Sequence, residues 1–504
     1  MIEEDAFDGA SPRGHLLQHN NVRALKNGPK MQEPWGTSTM TIWQIALSDL
    51  ARQLSSIRRL GSNLLKAVGA ASLVAAALLF HSTAAKADCE VTDTGIPDEA
   101  AFKLDPGGLR QVLAKSGVMV SGTYYGESFG NWGGFKQGVT YDGVLDMNLD
   151  ADMQKLGLWK GLCFHMNAFQ IHGHSITADN IGALMPVSNL EATPATRLDE
   201  MYLEQHLFND KLAIKIGQLA ADTEFILSES YPYFLNGTWG WPSIAAADMP
   251  SGGPAYPLAT PGVLVSLKPT DQLKLKVGVY NGDPADPNCS DPNPQVCNSD
   301  GLNFSLDSPP LLMIEGRYKY NQSGPLPGVL KIGGWNHFGS FPDQRFDSGG
   351  TRIAVTGNSG RPIDGDWAIY GIIDQLIWRL PGSEDPKGVG VFGRVMGAPS
   401  DQNLVDFYAE GGITFTGMVP HRGDDALGIG FAYTGVSNRV RGFDSDSGLS
   451  VLQNYEAVLE VCYTAQLKPG WTLQPDFQYF FQPGGNVAGQ SDATVLGART
   501  SISF

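Results

Sequence analysis

Charge is scarce in this chain: Asp, Glu, Lys and Arg make up 17% of its 504 residues, where a soluble domain usually carries roughly a quarter. Long apolar runs are missing too. Beyond about the first hundred residues no stretch of roughly 18 apolar residues occurs, which excludes a membrane-spanning helix there. Only strands remain able to cross a bilayer. The 9 His and 5 Cys do not cluster at ligand spacing, which excludes a zinc module, and His172 and His174 stand two apart without further ligands. No glycine loop ending in Lys-Ser/Thr follows a strand. "GHS" at 173–175 and the scattered acidic pairs make neither a nucleophile elbow nor a triad. Nothing points to an enzyme, a metal centre or a cofactor; Ca2+, if held, would fall in the Asp-rich loops 282–310 or 441–447.

What is present is glycine (61) and proline (31), the composition of a turn-rich β-protein. Residues 1–87 read as an N-terminal extension and a secretory signal: Arg58, Arg59 and Lys66, an apolar run near Val68–Phe80, then Ala85-Lys86-Ala87 as the cleavage motif. Cleavage after Ala87 leaves 26 Lys and Arg against 46 Asp and Glu, a net charge of about −20. So acidic a chain is a poor nucleic-acid binder. All five cysteines follow the cleavage point, in an oxidising compartment. Cys289 and Cys297 bracket "SDPNPQV" in a polar loop, which predicts a local disulfide. Cys89, Cys163 and Cys462 have no assigned role.

Residues 88–117 form a polar lead with one short helix in "DPGGLRQVLAKSG" (105–117), where Asp105 can cap, Pro106 suits the first turn and Gly117 stops it. From 118 to 504 the pattern is period two. In "YDGVLDMNLD" (141–150), Tyr141, Leu145, Met147 and Leu149 oppose Asp142, Asp146 and Asp150. Carboxylates in hydrocarbon would be prohibitive, whereas a water-filled interior accepts them. "LKLKVGVY" (273–280), "LLMIEGRYKY" (311–320) and "NYEAVLEVCYT" (454–464) repeat the alternation. Roughly sixteen such segments follow one another, short turns alternating with long polar loops, as in an antiparallel transmembrane β-barrel. Aromatics at segment ends (Tyr124, Tyr125, Trp159, Trp367, Trp378, Trp471) suit interfacial girdles.

"GGLRQVLAKSGV" (107–118), "LDEMYLEQHLFNDKLAIKIGQLAADTEF" (198–225), "GWPSIAAADMPSGGPAYPLATPGVLVSLKP" (240–269) and the terminal Phe504 resemble the carbohydrate-selective, OprB-type porins of the Gram-negative outer membrane. The resemblance implies a sixteen-stranded barrel with a short N-terminal helix, a loop folded into the lumen and passive diffusion of mono- and small oligosaccharides into the periplasm. It implies Phe504 as the assembly signal, outer-membrane lipids and the barrel-assembly machinery as partners, and leaves monomer and homo-oligomer both open. Sugars want charged or amide partners for their hydroxyls and aromatic rings for their C–H faces. The long segment 221–262 supplies Glu224, Tyr231, Trp239 and Trp241, with Trp239 and Tyr231 expected to stack on sugar. The wall supplies Glu204, Lys215, Glu315, Arg317 and Arg394, with the two arginines expected to face Glu204 or Glu315. The rival readings are a general or cation-leaning diffusion porin, a secreted β-rich carbohydrate-binding protein or adhesin, and a membrane-embedded hydrolase.

Overall fold

A computed structural model describes residues 89–504 except Glu90, Leu104, Pro287 and residues 98–99 and 384–386. The expected signal segment, 1–87, lies outside the described residues. Sixteen antiparallel strands close into one barrel in which each strand pairs with its sequence neighbours and β1 pairs with β16. They are β1 Val118–Gly134, β2 Gly138–Asp152, β3 Leu162–Gly173, β4 Ala195–Leu207, β5 Leu212–Leu219, β6 Thr260–Leu267, β7 Leu273–Asn281, β8 Pro310–Tyr320, β9 Gly328–Asp347, β10 Gly360–Arg379, β11 Gly388–Gly397, β12 Val405–Thr416, β13 Ala426–Val436, β14 Tyr455–Lys468, β15 Trp471–Phe481 and β16 Ser491–Ser503. Closure leaves no unpaired strand edge. Among the described residues no helix is long and apolar enough to cross a membrane.

The alternation sorts the side chains as the sequence predicts. Asp142 and Asp150 point inward and are buried, while Tyr141 and Met147, of the opposite parity, are exposed on the outer wall. The same outer surface carries Ile216, Ile314, Ile332, Ile369, Val395, Phe431 and Leu496, all exposed. Aliphatic side chains in water at this density would be unfavourable, so the belt is the lipid-facing surface. Ile332 is 75% exposed on it. Ile332→Lys is therefore expected to cost about 2–4 kcal/mol of barrel stability in bilayers, measured as the shift of the urea midpoint for the heat-modifiable folded band in lipid vesicles. An unchanged midpoint would remove this face from the membrane. Tyr125 departs from the expected girdle: it turns inward, its ring 6.0 Å from the Arg499 guanidinium.

One end carries Phe504 and only connections of nine residues or fewer. The long loops lie at the other, among the short connections 135–137 and 398–404: L2 (174–194), L3 (220–259), L4 (282–309), L7 (437–454). Residues 339–365, polar enough to read as a loop, are largely strand, because β9 and β10 run on to Asp347 and back from Gly360 as a tall hairpin. At the termini, α1 (Leu109–Lys115) starts later than expected. Its N-cap is Gly108; Asp105 lies farther back and reaches the first turn only through Oδ1, which accepts from the Arg110 N–H at 2.7 Å, and Gly117 at φ +87° ends the turn. Phe504 pairs its backbone N–H and C=O with Gly122. Its ring lies where a Cβ on Gly122 would come within 3.0 Å, so the closing seam depends on that glycine.

Cys289 and Cys297 are bonded, as the sequence predicts. A second disulfide joins Cys89 to Cys163 at the start of β3 and ties the N-terminal lead to the barrel, which accounts for two of the cysteines without an assigned role. Cys462 is free and buried.

Candidate functional site

The lumen is not uniformly wet. L3 enters it after β5 and follows the wall strand by strand. Glu224 meets Lys215 of β5 and Lys276 of β7; the Ile226 N–H donates to Glu315 of β8. The Leu227 carbonyl accepts from Lys331 of β9, and Asp374 of β10 accepts from the Ser228 and Ser230 hydroxyls and the Glu229 N–H. The far end crosses to β14, where Glu460 accepts from the Leu235 and Asn236 N–H groups and the Trp239 indole. Helix α2 (Ser243–Asp248) brings the chain back past β13 and β12, with Ser243 bonded to Thr434 and Asp248 accepting from the Val405 N–H. L2 packs beside it: Glu456 accepts from the Leu184 and Met185 N–H groups, and Arg499 reaches Ser188 and Asn189.

Between these loops and the wall lies a dry cluster of Phe234, Leu235, Trp239 and Ile244 against Phe392, Tyr408, Val458 and Phe480. It needs glycine behind it. A Cβ at Gly428 would lie 2.8 Å from Phe234 Cζ, and one at Gly430 would lie 2.5 Å from Trp239 Cη2. The two aromatic rings stack with centroids 4.5 Å apart in the groove that these glycines leave open.

Docking divides the sequence-predicted site residues into two groups. Glu204, Lys215, Glu224 and Arg317 stay partly exposed. Lys215 lies 2.8 Å from Glu224 and 3.9 Å from Glu204, and Arg317 lies 3.1 Å from Glu229 of L3, which Lys331 also meets at 2.9 Å. Alternation places Lys215, Lys276, Arg317 and Lys331 on the inner faces of β5, β7, β8 and β9. The result is a row of cations along the L3 carboxylates. Glu315 and Arg394 belong to the dry group. Glu315 accepts from the Ile226 N–H and the Tyr370 hydroxyl; Arg394, 0% exposed, donates to the carbonyls of Ile226, Thr238 and Trp239 and to Glu410 at 2.6 Å.

Two expectations are thereby corrected. The arginines do not pair with Glu204 or Glu315: the register sets Arg317 between Lys274 and Lys331, where it turns to Glu229 of L3, and sets Arg394 beside Glu410 of the adjacent β12. Trp239, 1% exposed, has both ring faces covered and its indole N–H bonded, so it holds the loop and leaves no face for a sugar. Tyr231 and Trp241 are half-buried on L3, with the Trp241 indole donating to the Gly252 carbonyl at 2.9 Å. Sequence reasoning missed Glu229 and Lys331. Glu229 is an acid five positions after Glu224 in the same loop, and Lys331 has inward parity in "LKIGG"; both signals were readable once L3 was followed along the wall. Glu460, Cys462 and Asp476 bring ligand atoms within 4.8 Å of one another, but Glu460 is already occupied as the acceptor for three L3 donors.

Burial pushes the Glu224 carboxyl up, yet the ammonium groups of Lys215 and Lys276 outweigh it and hold the group down at about 2, against an ordinary 4.5. A carboxyl lowered on docking stabilises the docked loop above its ordinary pKa and ceases to do so as pH falls through the lowered one. Asp222 opposes it, since burial raises that carboxyl to about 6 and its ionisation costs docking as pH rises. Expected, then, is that Glu224→Gln raises the open-channel conductance at pH 7, and that the difference from the unmodified protein persists down to about pH 4.5 and vanishes near pH 2. Conductance titration in planar bilayers checks this; a difference that grows with acid would refute the assignment.

A family model described as carbohydrate-selective porin, OprB family, matches residues 136–504. Porin B of Pseudomonas aeruginosa is 24% identical over 79% of this chain and 90% of its own length. A putative porin, QuiX, of Acinetobacter baylyi is 23% identical over 79% of this chain and 92% of its own length. The high-pH structure of Pseudomonas putida OprB superposes with a TM-score of 0.70 at 22% identity, covering 79% of this chain and 97% of that one.

Proposed function

The chain belongs to the carbohydrate-selective porins of the OprB family, and from that premise we propose that sugars cross its lumen along the wet strip beside L3. It is a passive sugar-selective channel of the Gram-negative outer membrane, a multi-pass β-barrel. The observation that carries the pathway is the division of the lumen. Glu204, Lys215, Glu224, Glu229 and Arg317 keep partial exposure, while Arg394, Glu410 and Glu460, deeper under L3, are buried and bonded to the loop or to one another. A hydroxyl pair can exchange water for a carboxylate on one side and an ammonium or guanidinium on the other. Each exchange replaces one good hydrogen bond by another at little net gain, so the solute is recognised without being retained. Tyr231 and Trp241, on the same loop, are the rings offered to the C–H face. No bond is made or broken in this scheme, and we assign no turnover to the chain. Phe504, at the barrel seam, is the residue we assign to recognition by the assembly machinery.

Glucose on either side of a planar bilayer is expected to reduce the ion current to a saturating level, while a size-matched neutral polymer reduces it without saturation. A general or cation-leaning porin would show a shifted reversal potential in a salt gradient and no saturable block. That result would overturn the sugar pathway.

A further inference from the structure

The underside of L3, facing the short turns, roofs a cavity at the end of the ion-pair strip, with Glu229 common to both. Its volume is about 230 Å³, room for one sugar ring or the several waters that the ring would displace. Glu229 and Tyr233 line it from the loop, Asp374 and Thr414 from the wall, and Gln322 from the β8–β9 turn at its mouth. Gly390 forms the floor, where a Cβ would lie 2.7 Å from the Thr414 hydroxyl; a side chain there would close the space.

The polar groups around it are incompletely used. Glu229, its side chain 42% exposed, meets Arg317 and Lys331 through Oε1 and still presents carboxylate surface to the cavity. The hydroxyls of Tyr233 and Thr414 make no hydrogen bond with any described residue. A tyrosine ring, a carboxylate oxygen and a hydroxyl around a space of this size match the two surfaces of a pyranose. An anion would meet Glu229 and Asp374, and an apolar ligand would strand the hydroxyls. We propose that this cavity is an exit-side subsite for a single neutral hexose, reached from the periplasm. The inference rests on the sugar-channel reading and deepens it: a solute leaving the L3 strip is taken up once more before release, and two weak sites in series allow occupancy without retention.

The test is glucose block of single channels of known orientation, with glucose on one side at a time. For Tyr233→Ala, the concentration giving half-maximal block from the short-turn side is expected to rise roughly fivefold, as for the loss of one ring stack. Block from the long-loop side is expected to change little. Thr414→Val, which keeps shape and removes only the hydroxyl, is expected to show a smaller shift with the same sidedness, and the heat-modifiable band confirms a folded barrel for both. Unchanged block in both variants, or equal weakening from both sides, overturns the subsite while leaving the channel reading intact. Absence of saturable block in the unmodified protein defeats the channel reading itself and the subsite with it.

Discussion

Arg394→Met is expected to free the middle of L3 from the wall and raise single-channel conductance severalfold, with glucose block lost and the barrel still folded. Arg394 is fully buried and donates to three L3 carbonyls, those of Ile226, Thr238 and Trp239, and to Glu410. Methionine fills much of the volume but supplies no donor. Glu410 keeps only the Tyr408 hydroxyl, and breaking a buried pair by removing one partner costs about 3–5 kcal/mol. The barrel ladder does not depend on this contact, so the loss falls on loop docking. Conductance, glucose block and the heat-modifiable band are measured together. Unaltered conductance and block in a folded barrel would mean that the loop is held by its apolar cluster alone.

The second large effect is expected at Glu460. Glu460→Ala leaves the Leu235 and Asn236 N–H groups and the Trp239 indole without their acceptor in a dry region, at about 1–3 kcal/mol for each unsatisfied donor. The tip of L3 should detach, raising current noise and accelerating proteolysis between residues 230 and 250. Because Arg394 and Glu460 grip Trp239 from its carbonyl and its indole, the double variant should cost less than the two singles combined. Strict additivity would show that the two anchors hold separate segments. Glu204→Gln is the control: its contacts to Lys215 and His206, at 3.9 and 3.6 Å, are long and partly exposed, and such pairs contribute only about 0–1 kcal/mol.

Much of the candidate site was legible, but by type rather than by role. Lys215 and Arg317 could be placed in the lumen from parity and Glu224 from its place in the long loop, and all three stay partly wet there. Trp239 looked like a sugar platform, since an aromatic in a long glycine-rich loop reads the same whether it faces water or a glycine groove. The groove is made by Gly428 and Gly430, far along the chain. Arg394 could be read as an inward charge, yet its partner, Glu410, follows only from the β11–β12 register. The Cys89–Cys163 bond joins two segments whose proximity follows only from where the N-terminal lead returns to the barrel.

The chain by itself determined the barrel. Side-chain alternation is a property of each strand separately, so sixteen local patterns, together with the spacing of turns and loops, dictate which face meets lipid, which faces inward and how the strands follow one another. Only the tertiary structure decided which inward charges remain wet. That depends on how L2 and L3 settle against the wall, a matching of donors, acceptors and ring shapes among residues up to hundreds of positions apart, and a buried carboxylate or guanidinium is tolerated only where such partners offset its desolvation.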